Sequence, residues 1–177
     1  MCEKDGRLLV GTRGGEIVEF QLTTTKTNVY MRSHYDDELW GLAVHPTRSE
    51  IYTWGRDCML GVWDLKQRKQ IHYTKLDSGG DVLAFSPDGS LLVLGFLNGS
   101  FIVLDANLKI TTKRRDRAGK AIQVIKFSPD GSICAQGGHD QLIITYDVNK
   151  NFSPLKKIRK HSSTIKFLDF SLDGMTF

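Results

Sequence analysis

A repeat of about 42 residues constrains this chain more than any other feature, because a period of that length fixes the architecture before single motifs are weighed. The pentapeptide FSPDG stands at Phe85–Gly89 and again at Phe127–Gly131, FSLDG at Phe170–Gly174, and VHPTR takes the same place at Val44–Arg48. Successive starts are 41, 42 and 43 residues apart. A second landmark, an aromatic or aliphatic residue followed by a polar one, falls at Phe20-Gln21, Trp63-Asp64, Leu104-Asp105 and Tyr146-Asp147, with spacings of 43, 41 and 42. Between the landmarks run short β-rich segments such as EIYTWG, LGVWDL, LLVLGF, SFIVLDA and LIITYDV, with no helical period of comparable length. Pro-Asp-Gly closes a tight turn: proline pre-sets φ, aspartate bonds its own backbone, and glycine accepts positive φ. Four short strands per period predict an all-β fold, the β-propeller, with one blade per repeat.

Composition agrees. With 177 residues, 40% hydrophobic and 25% charged, the chain has enough apolar surface for an ordinary core. No apolar run approaches the roughly 20 residues that span a bilayer, and the start, MCEKDGRLLV, carries charges where a secretory signal needs its apolar stretch, so a cytoplasmic location is expected. Cys2, Cys58 and Cys134 are odd in number and widely spaced, which reads as reduced thiols and not as a disulfide framework or metal knuckle. The triplets NGS at Asn98 and NFS at Asn151 are then turn sequences and not glycan acceptors.

The residues next point to a family. His34 precedes a strand, Thr53 lies four residues before Asp57, and Trp63 lies six after it. This pattern resembles the His, Ser/Thr, Asp, Trp hydrogen-bond tetrad of WD-repeat proteins, in which aspartate orients histidine, histidine reaches the hydroxyl, and the hydroxyl receives the indole N–H. The same residue types could form a hydrolase triad, but no G-x-S-x-G elbow is present and Thr53 falls inside a predicted strand. The corresponding positions of later repeats carry Leu94, Asn98 and Leu104, then Gln136, Asp140 and Tyr146, so those blades are expected to rely on packing.

A closer resemblance follows from HYDDELWGLAVHP (His34–Pro46) together with RLLVGTRGGEIVEF (Arg7–Phe20). Both are similar to segments of the echinoderm microtubule-associated protein-like family, whose members carry tandem propellers; GGDVLAFSPDGSLLVLGFLNGSFIVLDA and HSSTIKFLDFS are similar to that family's blades as well. Ser33 departs from the glycine usual before the histidine, and the later repeats are degenerate. The resemblance implies a non-enzymatic cytoskeletal scaffold binding tubulin or microtubules, in the cytoplasm and on the cytoskeleton, with the ciliary axoneme and the general cytoplasm both open.

On this reading residues 1–33 form a partial blade with strands b, c and d. Residues 34–76 form the blade with the full tetrad, 77–117 and 118–160 two degenerate blades, and 161–177 the start of another, with an inner strand at Thr164–Ser171. About four blades fall short of the roughly seven usual in such propellers. The chain is therefore expected to be part of a larger or tandem propeller, the alternative being a four-bladed ring in which Thr164–Ser171 pairs back onto the first strands. DELWGLAVHP reads as an innermost strand and its exit turn, packed on both faces, with Asp36, Asp37 and Glu38 in the loop before it.

Function must come from the surface. Two basic clusters occupy equivalent places in consecutive repeats: Lys113, Arg114, Arg115 and Arg117 in KRRDR, and Lys156, Lys157, Arg159 and Lys160 in KKIRK. They serve either as solvated edge charges that deter strand pairing or as a docking surface for an acidic polymer such as a microtubule. A generic adaptor, assembling other proteins through the propeller faces without tubulin, is the competing account. Nucleic acid is not expected, since Phe96, Phe101 and Tyr146 fall in strands and do not interleave with the basic clusters. Neither a membrane, a small-molecule substrate, a metal nor a cofactor is expected. There is no phosphate loop with G-K-[ST], and the histidines lack metal spacing.

Overall fold

Alternating apolar and polar residues, punctuated by Asp-, Asn- and Gly-bearing turns, fold as strands in antiparallel succession. The computed structural model describes residues 2–4, 7–11, 16–22, 24, 27–32, 39–117 and 119–174. Within them lie four antiparallel four-stranded sheets, each built from consecutive strands. The first holds β1 (Cys2–Lys4), β2 (Arg7–Gly11), β3 (Glu16–Gln21) and β4 (Thr27–Arg32). The second holds β5 (Leu39–Val44), β6 (Glu50–Gly55), β7 (Met59–Asp64) and β8 (Lys69–Lys75). The third holds β9 (Val82–Phe85), β10 (Leu91–Gly95), β11 (Phe101–Asp105) and β12 (Ile110–Arg114), and the fourth β13 (Ile122–Phe127), β14 (Ile133–Gly138), β15 (Ile143–Asp147) and β16 (Ser153–Ile158). These are the blades of a β-propeller, and no described helix is long and apolar enough to cross a membrane.

The third sheet shows how sequence dictates packing. Side chains alternate across a strand, so Leu92, Leu94, Ile102 and Leu104 face the second sheet and join Tyr52, Trp54, Leu60 and Val62 in one core. Val93, Phe101 and Val103 point the other way and join Ile122, Ile125, Cys134, Ile144 and Tyr146. A sheet buried on both faces needs continuous apolar strands, which is why LLVLG and FIVLD show no polar alternation. Innermost strands β5, β9 and β13 touch in succession, bringing the three sheets together around one axis. Burial in the second of these cores raises the Cys134 thiol to about 12, leaving it inert as a nucleophile.

Every sheet carries an extra residue at the same place in its outer strand, where the register shifts against the third strand: Tyr30, Ile71, Thr111 and Leu155. Such bulges twist an edge and blunt it as a template for foreign strands.

Four expectations are corrected. The first sheet has four strands and not three, because Cys2–Lys4 pairs with Arg7–Leu9. Thr164–Ser171 is not a strand: no described segment offers it a ladder, and it is held by the Ile165 amide donating to the Gly138 carbonyl (3.1 Å) and by Ile165 packing on Val124 and Ile143. Among the described residues it makes no pairing onto the first strands, so the four-bladed closure is not formed there. Lastly, β5 is packed on one face alone: buried Gly41 and half-buried Ala43 lie toward β9, whereas Trp40, Leu42 and Val44 are 58%, 60% and 60% exposed. The first and second sheets meet through β4 and β8, and among the described residues no strand packs on the outward face of β5, where the Arg56 guanidinium lies 5.3 Å over the Trp40 ring.

The turn after β5 holds a buried histidine with a consequence for pH. His45 Nδ1 accepts the amides of Thr47 (3.2 Å) and Arg48 (3.0 Å), and its ring packs edge-on against Phe85 at 4.8 Å. Burial, followed by nearby Arg48, lowers its pKa below the ordinary 6.5. The unfolded chain therefore takes up this proton first as pH falls, so the contribution of neutral His45 is complete above about pH 6.5 and is lost below it. Melting temperature should fall on acidification from about pH 7 to about pH 5, and His45→Asn, whose amide oxygen can accept the same N–H groups without titrating, should flatten that part of the profile. An unchanged profile in the variant would assign the acid loss to other groups.

Candidate functional site

The turns between second and third strands are built alike. Asp57, Asn98 and Asp140 each accept a backbone N–H two residues on, from Met59 (3.1 Å), Ser100 (2.9 Å) and Leu142 (3.2 Å). The residue between adopts positive φ in each case: Cys58, Gly99 and Gln141. Around the first of these turns the Trp63 indole donates to Thr53 Oγ1 at 2.8 Å, and that hydroxyl in turn donates to the Gly61 carbonyl at 3.4 Å. Thr53 is buried within the sheet, which denies a substrate access to its hydroxyl. His34 lies outside the described residues, as do Asp36, Asp37 and Glu38.

Arg117 is the chief correction to the expected basic surface. Its side chain is fully buried, bonded to Asp140 Oδ1 and donating to the carbonyls of Gln136 (2.7 Å) and Leu142 (3.1 Å). Burial pulls the guanidinium pKa down, and the Asp140 carboxylate opposes that pull. The reason is positional: Arg117, Gln136, Asp140 and Tyr146 lie 83 residues after His34, Thr53, Asp57 and Trp63 respectively. Arginine thus stands where the second sheet's repeat has histidine, and the fourth sheet has a polar network of its own.

The remaining cations sort by partner. Lys113 Nζ lies 3.5 Å from Asp77 Oδ2, an exposed pair of small energetic weight, and Arg114 Nε lies 3.0 Å from Asp116 Oδ2. The Asp116 hydrogen bond raises the Arg114 pKa. Arg115, Lys156, Lys157, Arg159 and Lys160 are exposed, and none makes an ion pair with a described residue. Lys120, which the sequence reading passed over, belongs with them. Outer strands β12 and β16 carry the two clusters at equivalent positions of adjacent sheets, and a hydrogen bond from Thr112 to the Asn151 side chain ties β12 to the turn before β16.

Other concavities offer no catalytic set. A cleft of about 540 Å³ lies between the two Pro-Asp-Gly turns, lined by Ser86, Asp88, Asp130, Ser132 and their neighbours. Its serines serve the turns: Ser86 Oγ donates to Asp88 at 2.6 Å and accepts the Leu91 amide at 3.0 Å. Hydrogen bonds from Ser128 and Ser132 hold the Asp130 carboxyl down at about 2, fully ionised and therefore a poor proton donor or acceptor near neutrality. Among the described residues no group of three or more His, Cys, Asp or Glu side chains could hold a metal.

A sequence model of the echinoderm microtubule-associated protein second beta-propeller matches residues 39–177. The chain belongs to the echinoderm microtubule-associated protein family. Among the family's proteins, the echinoderm microtubule-associated protein-like 2 of Rattus norvegicus is 31% identical over 173 residues, covering 96% of this chain and 26% of that protein. The 77 kDa echinoderm microtubule-associated protein of Strongylocentrotus purpuratus is 30% identical over 170 residues, covering 94% and 23%. The echinoderm microtubule-associated protein-like 3 of Mus musculus is 32% identical over 170 residues, covering 94% and 19%. The chain thus spans about a fifth to a quarter of the length of these relatives.

Proposed function

We propose that the chain is a non-enzymatic cytoskeletal scaffold whose outer strands dock on the acidic surface of tubulin or microtubules. The observation that carries this reading is the set of exposed cations that make no ion pair among the described residues, at equivalent edges of adjacent blades, together with relatives named as microtubule-associated. Arg115, Lys156, Lys157, Arg159 and Lys160 are the contact residues, supported by Lys113, Arg114 and Lys120. Arg117 takes no part, since its charge is spent inside the sheet. Attraction between exposed charges is long-ranged and screened over about 8 Å at physiological ionic strength, so binding weakens as salt rises.

Co-sedimentation with microtubules across a salt series tests the proposal. Changing Arg115, Lys156, Lys157 and Arg159 together to glutamine should weaken low-salt binding by about tenfold or more, while a folded control retains it. Equal pelleting of variant and parent removes these residues from the mechanism. A chain that stays in the supernatant at every salt concentration supports instead the adaptor role, in which the propeller faces assemble other proteins.

A further inference from the structure

Three of the four prolines follow a serine: Ser86-Pro87, Ser128-Pro129 and Ser153-Pro154. The fold treats the three hydroxyls differently. Ser86 and Ser128 are buried, and each hydroxyl both donates to an aspartate of its own turn and accepts a backbone amide, from Leu91 at 3.0 Å and Ile133 at 2.9 Å. A phosphate there would press two negative charges against an ionised carboxylate and break the turn. Ser153 opens β16, the outer edge of the fourth sheet. Its hydroxyl makes no hydrogen bond among the described residues, and Pro154, Leu155, Lys156 and Lys157 after it are all exposed.

From this arrangement we infer that Ser153 is a phosphorylation site for a proline-directed serine/threonine kinase, and that its modification switches off the basic edge. Such a kinase binds its substrate extended, tolerates proline after the acceptor because no N–H is needed there, and gains from a basic residue three positions on. From half-buried Ser153 onward the extended sequence Ser153-Pro154-Leu155-Lys156 meets these requirements, whereas Asn151 and buried Phe152 before it adopt positive φ; Pro154 gives the edge a position that lacks a ladder donor. In the transfer, Ser153 Oγ bonds to the γ-phosphorus of ATP while the bond from that phosphorus to the β–γ bridging oxygen breaks. ADP leaves with the electron pair, and the hydroxyl proton passes to the kinase's general base.

The product carries a charge of about −1.5 to −2 at neutral pH and accepts strong hydrogen bonds. It stands at the head of the strand bearing Lys156 and Lys157, just before Arg159 and Lys160, and two residues from Asn151, which Thr112 ties to the neighbouring cluster. The acid opposite Ser153 in the ladder, Asp147, is already paired with Lys150 at 3.4 Å, so the new dianion draws on Lys156 and Lys157, which make no ion pair among the described residues. Phosphorylation thereby offsets about a third of the charge of the exposed cations that have no ion pair among the described residues. The modification stands independently of the tubulin reading, whereas its effect on microtubules rests on it.

The test incubates the whole 177-residue chain with magnesium, ATP and a proline-directed kinase and follows intact mass and phosphopeptides. One phosphate per chain is expected, located at Ser153, absent from Ser153→Ala and acquired more slowly by Lys156→Ala. The phosphorylated chain should leave a heparin column at lower salt and bind microtubules about tenfold more weakly at low ionic strength. Phosphate that persists in Ser153→Ala, lies at Ser86 or Ser128, or fails to enter the folded chain while a peptide spanning 149–160 is modified overturns the assignment. Phosphate at Ser153 with unchanged heparin elution overturns the switch. A heparin shift with neither form sedimenting on microtubules upholds the site and the charge effect, and it is the tubulin reading that falls.

Discussion

Replacing Asp140 by alanine should cost about 3–5 kcal/mol, seen as a lower urea midpoint and a melting temperature reduced by on the order of 10 °C. The argument rests on what remains behind. Arg117 is fully buried, and without Asp140 its guanidinium keeps two carbonyl partners but loses the negative charge that does most to offset its desolvation, Asp116 adding less. The turn suffers too, since the Leu142 amide loses its acceptor. Asp140→Asn retains that acceptor and should fall between parent and alanine variant. Arg117→Met combined with Asp140→Asn removes both charges and should recover most of the loss, because exchanging a buried ion pair for packed apolar atoms is often nearly neutral. If Asp140→Ala alone costs less than about 1 kcal/mol, the pair is a bystander and the fourth sheet is held by packing.

Trp54→Ala should be comparably severe, at about 3–5 kcal/mol. Trp54 is the largest fully buried side chain, and although it belongs to β6 its ring reaches into the third sheet. The indole N–H donates to the Gly95 carbonyl at 3.4 Å, and the ring meets Phe96 edge-on at 5.6 Å. Gly80 lines the same seam so closely that an added Cβ would come 1.9 Å from the Gly95 carbonyl oxygen and 2.5 Å from the indole nitrogen, which only glycine avoids. Alanine at position 54 therefore empties a large space, one wall of which is the Gly80–Gly95 backbone and cannot close in. Urea denaturation followed by far-ultraviolet circular dichroism measures the effect; a loss below about 1.5 kcal/mol would mean that the seam closes around the gap.

The repeat and its strands were legible because their causes are local: alternation within a strand, and Asp, Asn, Pro and Gly in turns. Long-range partnerships were not. Arg117 was read with its neighbours in KRRDR as one more surface cation, although its offset of 83 residues from His34, shared by Gln136, Asp140 and Tyr146, was a signal that it is internal. Thr164–Ser171 has the composition of a strand, but a strand exists only when another segment supplies its hydrogen bonds. Likewise the apolar run of β5 was expected to be covered on both faces, and composition cannot report where the neighbouring sheet sits. Lys120 lies outside both runs, in the loop before β13, and its exposure is known from the fold alone.

One buried carboxylate, Asp81 in the segment leading to β9, reaches in two directions. Arg56 in the second sheet donates to it from Nε at 2.8 Å, and the Gln123 amide on β13 donates to its other oxygen. In an array where units touch only adjacent units, an end unit can melt while the rest stands. Asp81 adds a term between units that are not adjacent, because the third sheet's own residue is held by the second and the fourth at once. Losing the fourth sheet strips a partner from a group the second still holds, so unfolding cannot stop cleanly at one seam. The three blades consequently behave less as beads on a string than as one cooperative body.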